Sequence, residues 1–264
     1  MEQIKELRER TGAGMVDCKK ALDESCGDID KAIELLRKKG IAKAAKRSER
    51  EAGEGIIVVK TNNDNTEAYT VELNSETDFV ARNEKFQALA NDILKIVEEK
   101  KPESAEVLLS EDLNGLTVSE SIDNLSGVIG EKLALGRFDI VKGSSVASYS
   151  HLGGKIGVLV ALDQEGKGEL AADIAMHIAA ANPRFLSSEE VSEDEIEKEK
   201  GVYKEQLLKE GKPEAMIENI IKGKINKYYS EVCLLDQEYI KDDKKSIKDI
   251  LEGASILKFV RLSL

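Results

Sequence analysis

Over residues 1–40 the apolar positions recur at helical spacing. Ile4 and Leu7 edge a first segment, Met15, Cys18, Ala21 and Leu22 a second, and Ile29, Ile33 and Leu36 a third at i, i+4, i+7. Thr11-Gly12 and Cys26-Gly27 separate them, Asp28 suits an N-cap and Gly40 a helix stop. The pattern predicts three short helices in a small bundle with a thin core. Residues 41–53 favour helix but carry only a narrow apolar face, and they read as a helical linker. Lys43, Lys46, Arg47 and Arg50 form a basic stripe there. It reads first as a solvated face, and second as a contact to an acidic partner surface.

The rhythm then shifts to strands. Gly55 to Lys60 is short and β-branched, Asn62-Asn63-Asp64-Asn65 is a turn cluster, and Glu67 to Asn74 alternates through Tyr69, Val71 and Leu73. This predicts a hairpin. A helix follows, with Phe86, Leu89, Ala90, Ile93, Leu94 and Val97 on one face and Asn83 as its cap. Strand-like segments recur from Phe138 to Tyr149, Lys155 to Leu162 is a strong strand, and Leu170 to Ala181 is an apolar helix. Both halves read hairpin then helix. The expected fold is therefore α+β, with two related α/β subdomains built on antiparallel sheets and covered by helices.

Pro183 ends that helix, and residues 187–229 are charged and helical. Ile196, Tyr203 and Leu207 make one narrow seam, and Met216, Ile217, Ile220, Ile221 and Ile225 another, with a break at Gly211-Lys212-Pro213. An antiparallel helical hairpin, protruding from the core, is expected. Val232 to Leu235 and Ile256 to Leu262 look like strands, and Ile247, Ile250 and Leu251 suit a short helix between them. The hairpin is thus an insertion in the second subdomain. The expected layout is a bundle at 1–40, a linker at 41–53, a first subdomain at 54–140, and a second at 141–186 and 230–264, split by the hairpin at 187–229.

Composition narrows the function. Lys plus Arg is 39 against 51 Asp plus Glu, a net charge of −12, and aromatics are 4% with no Trp. Such a chain repels phosphate and has few rings to stack on bases, so a nucleic-acid partner is not expected. No apolar run reaches membrane-spanning length, and the charged start carries no signal-peptide core, so a cytoplasmic protein is expected. Three Cys without Cys-x-x-Cys argue against a disulfide framework or zinc site. There is no P-loop, Gly12-Ala13-Gly14 follows a helical pattern rather than a strand, and no Gly-x-Ser-x-Gly elbow occurs. His151 and His177 are the two histidines. His177, on an apolar helix, reads as packing, as do Cys18 and Cys26. No catalytic residue, cofactor or metal is expected, and a binding or regulatory protein is the better class.

Between hairpin and helix lies Ser75-Glu-Thr-Asp-Phe-Val80. Spacing leaves two readings. Phe79 stands seven residues before Phe86, so it could open the apolar stripe of one long helix with Thr77 or Asp78 as its cap. Alternatively, it is a presented side chain. Two separated segments tip the balance: Leu7-Arg-Glu-Arg-Thr-Gly-Ala-Gly-Met-Val-Asp-Cys-Lys-Lys-Ala-Leu22 and Glu72-Leu-Asn-Ser-Glu-Thr-Asp-Phe-Val-Ala-Arg82. With Ile129-Gly130-Glu131, His151, Lys155 to Val160, Ile174 to Ile178 and Leu235-Asp-Gln237, they resemble, in order and spacing, the elongation factor Ts family. Members of that family are guanine-nucleotide exchange factors of elongation factor Tu.

The resemblance implies an N-terminal bundle of ubiquitin-associated type and a partner, elongation factor Tu. It implies that Phe79 inserts between helices of the GTPase domain, with Asp78 near the Mg²⁺ side and Thr77 and Val80 flanking. The outcome is displaced Mg²⁺ ligation and GDP release. Further partner contacts carried over are Arg8, Met15 and Lys19 (with Arg10 beside them), Ile129 and Gly130, and His151. For each a plainer reading stands: packing for Met15, solvated cations, a turn at Gly130, a surface His. Tyr239 and Ile240 are also expected to be partner contacts; they lie where members commonly have a Pro-Phe-Val-like stretch, here Glu238-Tyr239-Ile240. A C-terminal helix found in many members is expected to be lacking after Ser263-Leu264. The hairpin can mediate a homodimer in the family. The rival expectation is an adaptor whose bundle binds a protein partner while the core serves as scaffold.

Overall fold

The computed structural model describes residues 1–45 and 47–264; the side chains of Ile41, Lys43 and Ala45 lie outside the description. Helices α1 (Glu2–Thr11), α2 (Met15–Glu24) and α3 (Ile29–Ala45) form the N-terminal bundle. Gly12, at φ 71°, ends α1 in the left-handed conformation a glycine adopts without strain. Leu7, Cys18, Ala21, Leu22 and Ala32 fill the small core. Asp28 accepts from the Lys31 N–H, as its cap position requires. Met15 is exposed rather than packed, and Cys26 is exposed at φ 53°, so neither belongs to the core the spacing suggested.

Gly40 does not stop α3, and the expected boundary at residue 40 falls inside a helix. The helix runs on to Ala45, so only the first residues of the 41–53 linker are helical. Gly40 serves a crossing instead: a Cβ added at Gly127 would stand 2.6 Å from the Gly40 Cα. A glycine at a close crossing and a glycine at a helix stop look alike in sequence. Of the basic stripe, Lys46 and the Lys43 side chain lie outside the described residues. Arg47 donates to the Ser126 carbonyl at 3.1 Å and Arg50 pairs with Glu76, so these two staple the linker to the core.

Strands β1 (Glu54–Thr61) and β2 (Glu67–Ser75) form the expected hairpin. After β2 come α4 (Asp78–Ala81) and α5 (Glu84–Lys100), whose cap Asn83 accepts from the Lys85 and Phe86 N–H groups. Then follow α6 (Ala105–Ser110), the two-residue strands β3 (Asp112–Leu113) and β4 (Leu116–Thr117), α7 (Val118–Ile129) and β5 (Leu133–Lys142). A capping box between Thr117 and Glu120 starts α7. Helix α6, the β3–β4 pair and α7 were not among the predicted elements. Strand β5 pairs antiparallel with β2, giving the sheet order β1-β2-β5.

The second half repeats this plan. Strands β6 (Ser145–His151) and β7 (Ile156–Leu162) form a hairpin, α8 (Gly168–Ala181) follows, and a later strand completes the sheet beside β7. Both three-stranded sheets are antiparallel, and in each a later strand lies beside the second strand of the hairpin, so the two halves share one topology. One sheet face packs on α5 and α7 through Phe86, Ile93, Val97 and Ile122, and the other sheet packs on α8 through Ile174, Ala175 and Ile178. A third core, of Ile57, Ala68, Val141, Val146, Leu159, Ala161, Val260 and Leu262, joins the two sheets. Strand β2 is therefore buried on both faces, Thr70, Glu72 and Ser75 included, although its sequence alternates like a half-exposed strand.

Helices α9 (Glu193–Lys209) and α10 (Glu214–Val232) make the inserted hairpin. It extends past the expected end at residue 229. Val232 to Leu235 is not a strand: α10 ends at Val232, whose carbonyl accepts from the Arg184 and Phe185 N–H groups, and Leu234–Asp236 is a 3-10 turn. A short apolar run does not by itself separate a strand from a buried helix end. The chain closes with β8 (Glu238–Tyr239), β9 (Asp242–Ser246), α11 (Ile247–Ile250) and β10 (Ile256–Ser263), the last pairing with β7.

Candidate partner-binding site

Strand β2 leaves its sheet at Ser75 and turns sharply into α4, a single helical turn. Phe79 does not open a stripe continuous with Phe86, because Arg82 and the cap Asn83 break the helix between them. Its side chain is 78% exposed, more than any other large apolar side chain among the described residues except Met1. The next two residues point the other way: Val80 and Ala81 are buried in the first core. The four expected site residues thus divide. Phe79 is presented, Val80 anchors the turn from inside, and Asp78 pairs with Arg82 at 2.7 Å.

Thr77 sits at the N-cap of α4, yet its hydroxyl does not cap the helix. It donates to Glu131 Oε1 at 2.8 Å, and the Thr77 N–H donates to Glu131 Oε2 at 3.0 Å. The exchange is reciprocal. The Lys132 N–H donates to Glu76 Oε1 at 2.6 Å, and Arg50 pairs with the same carboxylate. These two partners, the Lys132 amide foremost, lower the Glu76 carboxyl from its usual range. Lys132 also reaches back with its ammonium to the Ser48 and Arg50 carbonyls, and Ser126 Oγ donates to the Glu131 carbonyl at 2.6 Å. The Phe79-bearing turn, the loop after α7 and the linker from the bundle are one hydrogen-bonded unit. Sequence reasoning quoted Glu131 with Ile129 and Gly130 as part of the resemblance but gave it no role, because nothing local to it points to Thr77, 54 positions away.

Ile129 ends α7 and packs partly on the first core, while Gly130, at φ 94°, forms the left-handed C-cap. Gly12 of the α1–α2 loop lies against Lys85 at the start of α5 and Val128 at the end of α7. This brings the neighbouring Met15 and Val16, both exposed, to the same end of the core. Arg8 and Lys19 are exposed on the bundle. His151 ends β6, stacked on Tyr149, whose hydroxyl lies 3.0 Å from its Nδ1. The following turn lies on the beginning of β1, where the Ile57 N–H donates to the Gly154 carbonyl and Lys155 pairs with Glu54. Since Glu54 pairs with Ser75, His151 shares the end of the sandwich from which the Phe79 turn emerges.

Tyr239 and Ile240 are not brought there. Tyr239 is buried against α8 with its hydroxyl on Asp173 at 2.9 Å, which pushes the phenol up to about 12 through burial and that carboxylate. Ile240 alone of the pair is exposed. His177 is fully buried, and its role is fixed by Gln237. That amide nitrogen donates to the Ala181 and Glu231 carbonyls, so its oxygen accepts from His177 Nε2 at 3.0 Å. Nε2 thus carries a proton, and burial lowers the pKa of the imidazole.

Two sheets joined by a shared core, with one exposed aromatic and a helical bundle, have the form of a protein that binds a macromolecular partner. Residues 76–264 match the family model described as elongation factor TS, from the Phe79 turn through the rest of the first subdomain, the second subdomain and the inserted hairpin. The chain belongs to the elongation factor Ts family, and as a translation elongation factor it has elongation factor Tu as its partner in general terms. The bundle and the β1–β2 hairpin precede the matched region. No helix among the described residues is long and apolar enough to cross a membrane.

Proposed function

We propose that the protein is a guanine-nucleotide exchange factor that binds GDP-loaded elongation factor Tu, disturbs its Mg²⁺ and phosphate contacts and releases GDP so that GTP can bind. It acts in the cytoplasm, without covalent chemistry and without a cofactor of its own. The observation that carries this is the exposure of Phe79 on a turn held rigidly at both ends. An exchange factor must bind the nucleotide-free partner more tightly than the loaded one, and by linkage nucleotide weakens its own binding by the same factor. Burying a phenylalanine contributes roughly 1.5–3 kcal/mol, about ten- to a hundredfold in that ratio. Phe79 serves as the wedge, and Asp78, kept beside it by Arg82, supplies the anion that competes on the Mg²⁺ side. Met15 on the bundle, the Ile129-Gly130 loop and His151 add affinity through contacts of their own with the partner; Arg8 and Lys19 complete the bundle's contact.

The test is stopped-flow release of a fluorescent GDP analogue from elongation factor Tu. Wild-type protein is expected to accelerate release strongly, and Phe79→Ala to lose at least about tenfold of that acceleration. Wild-type rates from Phe79→Ala would remove the wedge. The adaptor reading has one observation in its favour, the adjacent exposed Met15 and Val16 at the start of α2. A Met15→Asp, Val16→Asp protein separates the two. An adaptor loses all capture of its partner, whereas an exchange factor keeps binding through the core and loses rate.

A further inference from the structure

The turn that carries Phe79 is too short to hold itself. A four-residue helix has almost no intrinsic stability, and the one side chain at its N-cap, Thr77, spends its hydroxyl elsewhere. Two anchors remain. At the C-terminal end Val80 and Ala81 are buried in the core. At the N-terminal end both donors of Thr77, its N–H and its hydroxyl, end on one carboxylate, that of Glu131 in the loop after α7. Phe79 stands between these anchors at 78% exposure, and the turn's other bonds are to near neighbours in sequence: Asp78 to Arg82, Ser75 Oγ to the Thr77 carbonyl and Gln87 to the Ala81 carbonyl.

We propose that Glu131 is the positioning residue of the exchange reaction: its bidentate grip on Thr77 holds Phe79 in the orientation that enters the partner, without itself touching the partner. This rests on the exchange-factor reading above. It assigns the loop after α7 a second task besides any surface contact of Ile129 and Gly130. It also explains the reciprocal bond from Lys132 to Glu76, which locks the two loops together from the other side. Because Glu76 also pairs with Arg50, and Lys132 reaches the Ser48 and Arg50 carbonyls, the linker from the bundle bears on the same clamp. An exposed aromatic loses binding energy to ordering when it is loose, so a preset turn raises the effect of the same side chain.

Substitution chemistry separates positioning from direct contact. In Glu131→Gln the amide oxygen still accepts from the Thr77 N–H, and the amide nitrogen can donate to Thr77 Oγ; only the charge is lost. Glu131→Ala loses both bonds. Two readouts are needed: GDP release at saturating exchange factor together with the half-saturating concentration, and amide hydrogen exchange of residues 77–81 in the free protein. Glu131→Ala is expected to lower the saturating rate about tenfold and to speed exchange of the Thr77 amide, while Glu131→Gln restores both to near wild type. In a Phe79→Ala background, Glu131→Ala is expected to cost nothing further.

Equal losses from Gln and Ala would overturn the proposal and make Glu131 a charged contact to the partner. So would an unchanged Thr77 amide in Glu131→Ala while Phe79→Ala is impaired. If Phe79→Ala itself released GDP at the wild-type rate, the exchange-wedge reading would be the one that failed, and the Thr77 amide would still report whether the clamp exists. Should Glu131→Ala not fold, Thr77→Val removes the hydroxyl bond alone. It is expected to lower the saturating rate, and no loss there would overturn the proposal.

Discussion

Phe79 and Val80 are adjacent in sequence and opposite in fate, one presented and one buried, because a single helical turn points them to different sides. Both are apolar, and the local text treats them alike. What divides them is the break at Arg82 and Asn83, which stops the turn from merging with α5. The same dependence on neighbours governs Glu67. Lys101 first, then the Tyr69 hydroxyl and Lys142, hold its carboxyl down at about 2. Its folded-state pKa lies below the unfolded value, so its contribution is fully present above about pH 4.5 and is lost as the pH falls toward 2. With the side chain mostly buried, that contribution is of the order of 2 kcal/mol. Urea unfolding at pH 7 and pH 3 is expected to show Glu67→Gln less stable at pH 7 by about that amount, with the gap to wild type closing at pH 3. A constant gap would assign the effect to packing.

At the scale of elements, the crossing of α3 and α7 decides how the bundle meets the core. The two glycines there are not equivalent. A Cβ on Gly127 would stand 2.6 Å from the Gly40 Cα and 3.0 Å from its carbonyl carbon, backbone atoms that cannot turn aside. A Cβ on Gly40 would find its nearest neighbour, the Gly127 Cα, at 3.8 Å, an ordinary contact. Gly127→Ala is therefore expected to destabilise the protein by about 1–3 kcal/mol through overpacking. Gly40→Ala is expected to stabilise it by up to about 1 kcal/mol through helix propensity. Chemical denaturation of the two variants checks the opposite signs. Neither role was readable beforehand, since α7 was not anticipated and the partner of Gly40 lies far along the chain. Helix α5 and the β1–β2 hairpin, in contrast, were legible because cap, turn and periodicity all lie within the segment itself.

Over the whole molecule, stability is unevenly spread. The two sheets share an apolar core and each is covered by helices, whereas α9 and α10 bury few side chains along their length, chiefly Ile196, Leu207, Ile217, Ile225 and Tyr228. Local opening follows apolar burial, so amides near 200–220 are expected to exchange with deuterium well before those of β2 and β7. Equal protection in solution would mean that another surface covers the hairpin. The sequence by itself determined what is local: the three N-terminal helices, the paired hairpins, the inserted helical pair and the Thr77-Asp78-Phe79-Val80 text with its family. Caps, turns and periodicity act within a few residues, and the chain states them directly. Tertiary structure alone decided that the sheets face one another, that Tyr239 is inside and Ile240 outside, that Gly40 joins a crossing, and that Glu131 holds Thr77. Those facts join residues dozens of positions apart, and no local preference encodes which distant surface a side chain will meet once the layers close.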